Sequence, residues 1–166
     1  MEAKKKVTVL LTRYYSTFSN FVYWISGRGY THASIALNDE NDCYYSFNFK
    51  GFRREYPERK KRKCGKSVSF ELELSEESYM QIEKVIHQME QDSNQYHYSR
   101  IGVFMCLLHI PFKMKRRYFC SQFVMEMLSL TGGISLRKKP CLYLPNHLPE
   151  ELQRQKCLLQ VNYNPI

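Results

Sequence analysis

The chain reads as an α+β protein, because one segment has a clean strand period and two others carry helical stripes. Val68, Phe70, Leu72 and Leu74 alternate with Ser69, Glu71 and Glu73, the period of two of a half-buried strand. Ile82, Val85, Ile86 and Met89 then recur at i, i+3, i+4 and i+7, behind Ser75 as N-cap and Glu76 and Glu77 in the first turn. A second helical face, Phe123, Val124, Met127 and Leu128, begins near Cys120. With 166 residues, 43% hydrophobic and 14% aromatic, the chain has apolar material for a real core, and one domain over 1–166 is expected.

Taken in order, residues 7–11 alternate weakly and predict the first strand. Residues 19–26 fit a short helix capped by Ser19 or Asn20 and broken by Gly27-Arg28-Gly29. Residues 33–37 are apolar, 38–42 are turn formers and 43–49 are rich in aromatics, which together predict a hairpin. After the strand at 68–74 and the helix capped by Ser75, a helix over 99–108 should stop before Pro111, since a residue preceding proline is pushed out of the α region. The helix from Cys120 is predicted to end at Gly132-Gly133 with a left-handed cap. The tail, with Pro140, Pro145 and Pro149, should be mostly extended, with one helical turn at 150–155. No internal repeat is present.

Charge and cysteine usage narrow the function classes. Twenty-five Lys and Arg against 16 Asp and Glu give a net charge of +9. Eight of the cations fall within 53–66, where the only acids are Glu55 and Glu58; Lys113, Lys115, Arg116 and Arg117 form a second run. The 53–66 segment reads as a solvated loop, or as a contact for an anionic membrane surface or nucleic acid. Gly65-Lys66-Ser67 resembles the end of a phosphate-binding loop, but Lys60 stands where that motif needs a glycine. The six cysteines, at 43, 64, 106, 120, 141 and 157, form no C-x-x-C pair and read as reduced thiols. The basic start leads only into the short apolar run 7–11, and the longest apolar stretch, 101–112, contains His109 and Pro111 and falls short of the roughly 20 residues a membrane span needs. A soluble, cytoplasmic chain without an export signal is the expectation.

Cys120 is the residue with the clearest chemical potential. A cysteine at a helix start meets free backbone N–H groups and the positive end of the dipole, which favour the reactive thiolate. Such a nucleophile needs a base and a group to orient the base. His87 falls in a helix, His97 in a polar turn, His109 at a helix end and His147 in a proline-rich loop. His32 opens the strand 33–37, where a rigid element would hold its ring. Taken singly, a histidine at a strand start is more often a surface or structural residue, and a helix-start cysteine more often a small buried hydrophobe.

Tyr30-Thr31-His32-Ala33-Ser34-Ile35-Ala36-Leu37 and Tyr118-Phe119-Cys120-Ser121-Gln122-Phe123-Val124, in that order, resemble the circularly permuted branch of the NlpC-type papain-like cysteine hydrolases, which includes YiiX-like proteins and lecithin retinol acyltransferase. The resemblance runs from about residue 10 to about 148 and includes Tyr44-Tyr45-Ser46-Phe47 and Tyr96-His97-Tyr98. It implies a permuted papain-like fold: an antiparallel sheet or small barrel packed against helices, with the histidine strand preceding the cysteine helix. It also implies thiolate attack on an amide or ester carbonyl, with Cys120 as nucleophile and His32 as base. A third polar residue on the next strand falls by register at Ser46, with Asn48 as the other candidate. Serine departs from the acid, amide or histidine often found there and gives little charge stabilisation. The backbone N–H of Cys120 would be the first oxyanion donor; a second is not assigned.

The substrate class implied is small, peptide-like or lipid-like, with Phe18, Phe21, Tyr23, Trp24, Tyr30, Tyr44 and Phe47 either lining an acyl groove or filling the core. No cofactor, metal or obligatory nucleic acid is expected. Two rivals stand beside the hydrolase or acyltransferase: a non-catalytic module binding nucleic acid or anionic membrane through its basic segment, and a metal site built from Cys106, His109 and Cys120.

Overall fold

A computed structural model describes residues 4–37, 42–57 and 64–166. Most of the turn expected at 38–42 and the centre of the basic segment, 58–63, lie outside the described residues. Strand β1 (Lys4–Tyr14) is the spine of a six-stranded sheet. It pairs with β2 (His32–Leu37) on one side, Val9 opposite Ile35, and with β5 (Cys64–Ser75) on the other, Val9 opposite Phe70. Beyond β2 come β3 (Tyr44–Asn48) and β4 (Gly51–Glu55); beyond β5 comes β8 (Leu158–Tyr163). The order is β4-β3-β2-β1-β5-β8, with antiparallel pairing throughout. Together with its helices the chain is thus mixed α+β.

Strand parity sorts the side chains. On one face Val7, Val9, Leu11, Ala33, Ile35 and Leu37 are buried, continued by Tyr45, Phe47, Phe70 and Leu72. Two helices complete this core: α2 (Glu76–Gln91), through Tyr79, Ile82, Ile86 and Met89, and α4 (Cys120–Ser129), through Phe123, Val124, Met127 and Leu128. The Phe123 ring lies 5.2 Å from that of Phe47 and 5.8 Å from that of Phe52. Each such side chain contributes about 1.5–3 kcal/mol by leaving water, so α4 is seated against the sheet by its own apolar face. The opposite parity, read along the paired registers, holds polar groups: Thr12, His32, Ser34, Ser46, Glu55, Ser67 and Ser69.

The smaller elements depart from expectation in instructive ways. Helix α1 (Thr17–Ile25) starts earlier than the sequence reading, because Ser16, and neither Ser19 nor Asn20, caps it by accepting from the Ser19 N–H at 3.1 Å. Helix α3 (Arg100–Leu107) is capped by Ser99 and ends with His109 in the left-handed region at φ 58°. Helix α4 stops at Ser129, and Gly132-Gly133 does not supply the expected left-handed cap: Leu130 closes the helix in right-handed geometry. A short parallel pair, β6 (His97–Tyr98) with β7 (Arg117–Tyr118), sets Tyr98 opposite Tyr118. In the tail, α5 (Leu148–Gln153) precedes β8, a strand the proline-rich reading did not foresee. No helix among the described residues is long and apolar enough to cross a membrane.

Candidate active site

Separate elements converge on one cavity. Its volume is about 210 Å³, and its walls include His32, Asn48, Glu55, Tyr98 and Cys120, with Phe18 and Phe49 at one side. His32 starts β2 opposite Thr12 of β1, and two hydrogen bonds pin the approach to that strand: Thr31 N–H donates to the Thr12 carbonyl at 2.9 Å, and Tyr14 N–H donates to Thr31 Oγ1 at 3.0 Å. Cys120 is the first residue of α4, brought in by β7, two residues after the Tyr98–Tyr118 pairing. Phe119 at the N-cap has no side-chain acceptor to offer, so the first N–H groups of α4 keep their hydrogen-bonding capacity for another group. Ser121 Oγ donates to the Tyr143 carbonyl at 2.7 Å and anchors this turn.

The imidazole is held at one nitrogen by two partners. His32 Nε2 lies 2.8 Å from Glu55 Oε2 and 3.0 Å from Ser46 Oγ. Cys120 lines the same cavity, near enough that its thiol and its charge add to the proton affinity of the ring. With Nε2 taken by Glu55 and Ser46, Nδ1 is the nitrogen left for a further partner. Of the five histidines, His32 is the one that lines this cavity. His147 is occupied elsewhere, its Nδ1 accepting from Leu144 N–H at 3.1 Å.

Opposing effects set the proton affinity of His32. Burial by itself would lower it, but the Glu55 carboxylate, followed by hydrogen bonds to Cys120 and Glu55 and the charge at Cys120, outweighs burial and raises the pKa to about 10. At neutral pH the ring is therefore an imidazolium, whose one Nε2–H is shared between Glu55 and Ser46. Tyr98 borders the same cavity; burial first, and the charge at Cys120 second, push its phenol well above the ordinary value, so it stays a neutral O–H donor.

No family model, curated protein or solved structure matches the chain. The functional reading therefore stands on the geometry of the site.

Cys120, His32 and Ser46 are brought into one cluster. Asn48 lies at the cavity wall, but its Oδ1 accepts from Lys50 N–H at 2.9 Å and holds the β3–β4 turn. Glu55 was missed, because it falls in the cation-rich 53–66 run read as a solvated segment. A signal for it was present: Asn48-Phe49-Lys50-Gly51 is a tight turn after a strand, with Gly51 at φ 88°, so a partner strand should follow. The register that sets Ser46 opposite Arg53 puts Glu55, two residues on, on the Ser46 face. The rival metal trio is not assembled. Cys106 packs with Val22, Val103, Phe119 and Leu144, and among the described residues no three His, Cys, Asp or Glu are grouped so as to hold a metal ion.

Proposed function

We propose that this chain is a cysteine-dependent hydrolase or acyltransferase of permuted papain-like type, acting on an ester or amide carbonyl. The carrying observation is the Cys120 thiol sharing one cavity with a buried imidazole whose Nε2 is held by Glu55 and Ser46. In the first half-reaction the thiol proton resides on His32 Nδ1 and Cys120 Sγ attacks the carbonyl carbon. The oxygen of the tetrahedral intermediate takes its negative charge toward the Cys120 backbone N–H, with the Tyr98 hydroxyl as second donor. The intermediate collapses to a thioester as the alcohol or amine departs with the Nδ1 proton. In the second, water or another hydroxyl or amine gives a proton back to His32 and attacks the thioester, releasing the acyl product and restoring the thiol. Water as acceptor makes the protein a hydrolase; a bound alcohol or amine makes it an acyltransferase.

Glu55 supplies the counter-charge that Ser46 lacks. It stabilises the imidazolium and fixes the ring with Nδ1 toward the sulfur, while Ser46 limits rotation about the same nitrogen.

Incubation with p-nitrophenyl butyrate, followed by peptide mapping, tests the reading. A butyryl thioester is expected on Cys120 and on none of the other five cysteines, and it should be absent in Cys120→Ala. Acylation spread across the cysteines, or none at Cys120, contradicts the proposal.

A further inference from the structure

Thirteen large apolar side chains are exposed among the described residues, and nine of them fall on α1, α3 and the segments beside them. On α1, Phe21, Trp24 and Ile25 share one helical face; on α3, Ile101, Phe104 and Leu108 do the same at i, i+3 and i+7. The two helices meet beneath these stripes, where Val22 of α1 packs with Val103 and Cys106 of α3. An open groove lined by Thr17, Phe18, Phe21, Phe49 and Arg100 runs between them, and Phe18 and Phe49 also wall the Cys120 cavity. The apolar surface therefore adjoins the site through Phe18 and Phe49.

Its charge has one sign. Residues 11–31, around α1, and 96–112, around α3, contain no Asp or Glu, and their cations are Arg13, Arg28 and Arg100. Cations are interleaved with the aromatics: Arg28 sits 4.7 Å over Trp24, Arg13 sits 3.5 Å over Tyr23, and Arg100 sits 5.0 Å over Phe49. Arg117 joins Arg100 and Ile101 around an adjoining groove. Aromatic and aliphatic side chains set among arginines suit the boundary between headgroups and acyl chains of an anionic bilayer, where the cations meet lipid phosphates and the apolar groups leave water. A symmetric contact with a second copy would set these cations against one another. Nucleic acid would use the cations but leave the isoleucines and leucines in water.

We propose that α1 and α3 form a docking face for an anionic lipid bilayer, seating the mouth of the Cys120 cavity on the membrane. This face is built from residues other than those of the 53–66 segment and does not depend on the thiol chemistry, so it can be tested with Cys120→Ser. Trp24 is the only tryptophan in the chain and lies on the face, so its fluorescence reports docking directly. Full-length Cys120→Ser should co-sediment with phosphatidylcholine vesicles that contain phosphatidylglycerol, with a blue shift of Trp24 emission that weakens as salt is added. Vesicles of phosphatidylcholine alone should give neither. The double variant Arg28→Gln, Arg100→Gln, which alters two exposed side chains, should bind about 30-fold more weakly while keeping the parent's circular dichroism spectrum. The proposal is overturned by no shift with anionic vesicles, by an equal shift with neutral ones, by a shift that follows protein concentration without lipid, or by one that a random oligonucleotide produces at lower concentration than vesicles do. Butyrylation of Cys120 in the wild type, without lipid, reads the catalytic proposal separately.

Discussion

Glu55→Gln is expected to slow butyrylation of Cys120 by about 10³, somewhat less than the loss on neutralising the carboxylate of a serine triad, because Ser46 still holds Nε2. Glutamine preserves the shape and a hydrogen-bonding oxygen, so packing around β4 should survive. What disappears is the largest of the effects that together outweigh burial at His32. Without it burial is opposed only by Cys120, and the ring should titrate well below about 10. Ring nitrogen chemical shifts followed by NMR against pH read this directly. The stability consequence has a definite sign. A folded-state pKa of about 10 lies above the ordinary 6.5, so the stabilisation is complete below about 6.5 and is lost as pH rises through about 10. The wild type should therefore exceed the variant in stability most at pH 6.5, by about 3 kcal/mol on the scale of a broken buried pair, and the gap should close toward pH 10. Guanidinium unfolding at a series of pH values measures it. A constant gap would show that His32 and Glu55 are not a charged pair.

His32→Gln is expected to cost more, about 10³–10⁴ in butyrylation rate, since it removes both the acceptor of the thiol proton and the donor to the leaving group. Glutamine retains a polar group beside Ser46 and Glu55, which limits the cost of leaving a buried carboxylate without its imidazolium. Intact-mass kinetics with p-nitrophenyl butyrate give the rate, and a loss below about tenfold would mean that the ring is not the base.

The local half of this structure is legible in the sequence, because strand parity and helix stripes are short-range properties. The alternation at 68–74 lies within β5, the stripe Ile82, Val85, Ile86 and Met89 lies on α2, and Ser75 caps that helix by accepting from Ser78 N–H. Composition was a poorer guide. Arginines beside Glu55 made 53–66 look solvated, although Phe52 and Glu55 turn inward while Arg53 and Arg54 stay outside. Prolines at 140, 145 and 149 masked β8, which pairs with the distant β5, Val161 opposite Phe70. Ser46 was placed from register, and it does meet the His32 ring. The ring's stronger partner takes one more step to find, because it depends on the tight turn at residues 48–51 folding β4 back on β3 to carry Glu55 across to β2.

The central claim is that His32, held by Glu55 and Ser46, activates Cys120. Exposure and activation give opposite orders of reactivity here. Cys120 is only 5% exposed, whereas Cys64 and Cys157 are half-buried, and burial pushes both of those thiols above their ordinary pKa. Brief alkylation with iodoacetamide at neutral pH, quantified residue by residue by mass spectrometry, separates the two. Cys120 should be modified first, and His32→Gln should remove its lead. Modification of Cys64 and Cys157 ahead of Cys120, in an order that His32→Gln leaves unchanged, would contradict the account.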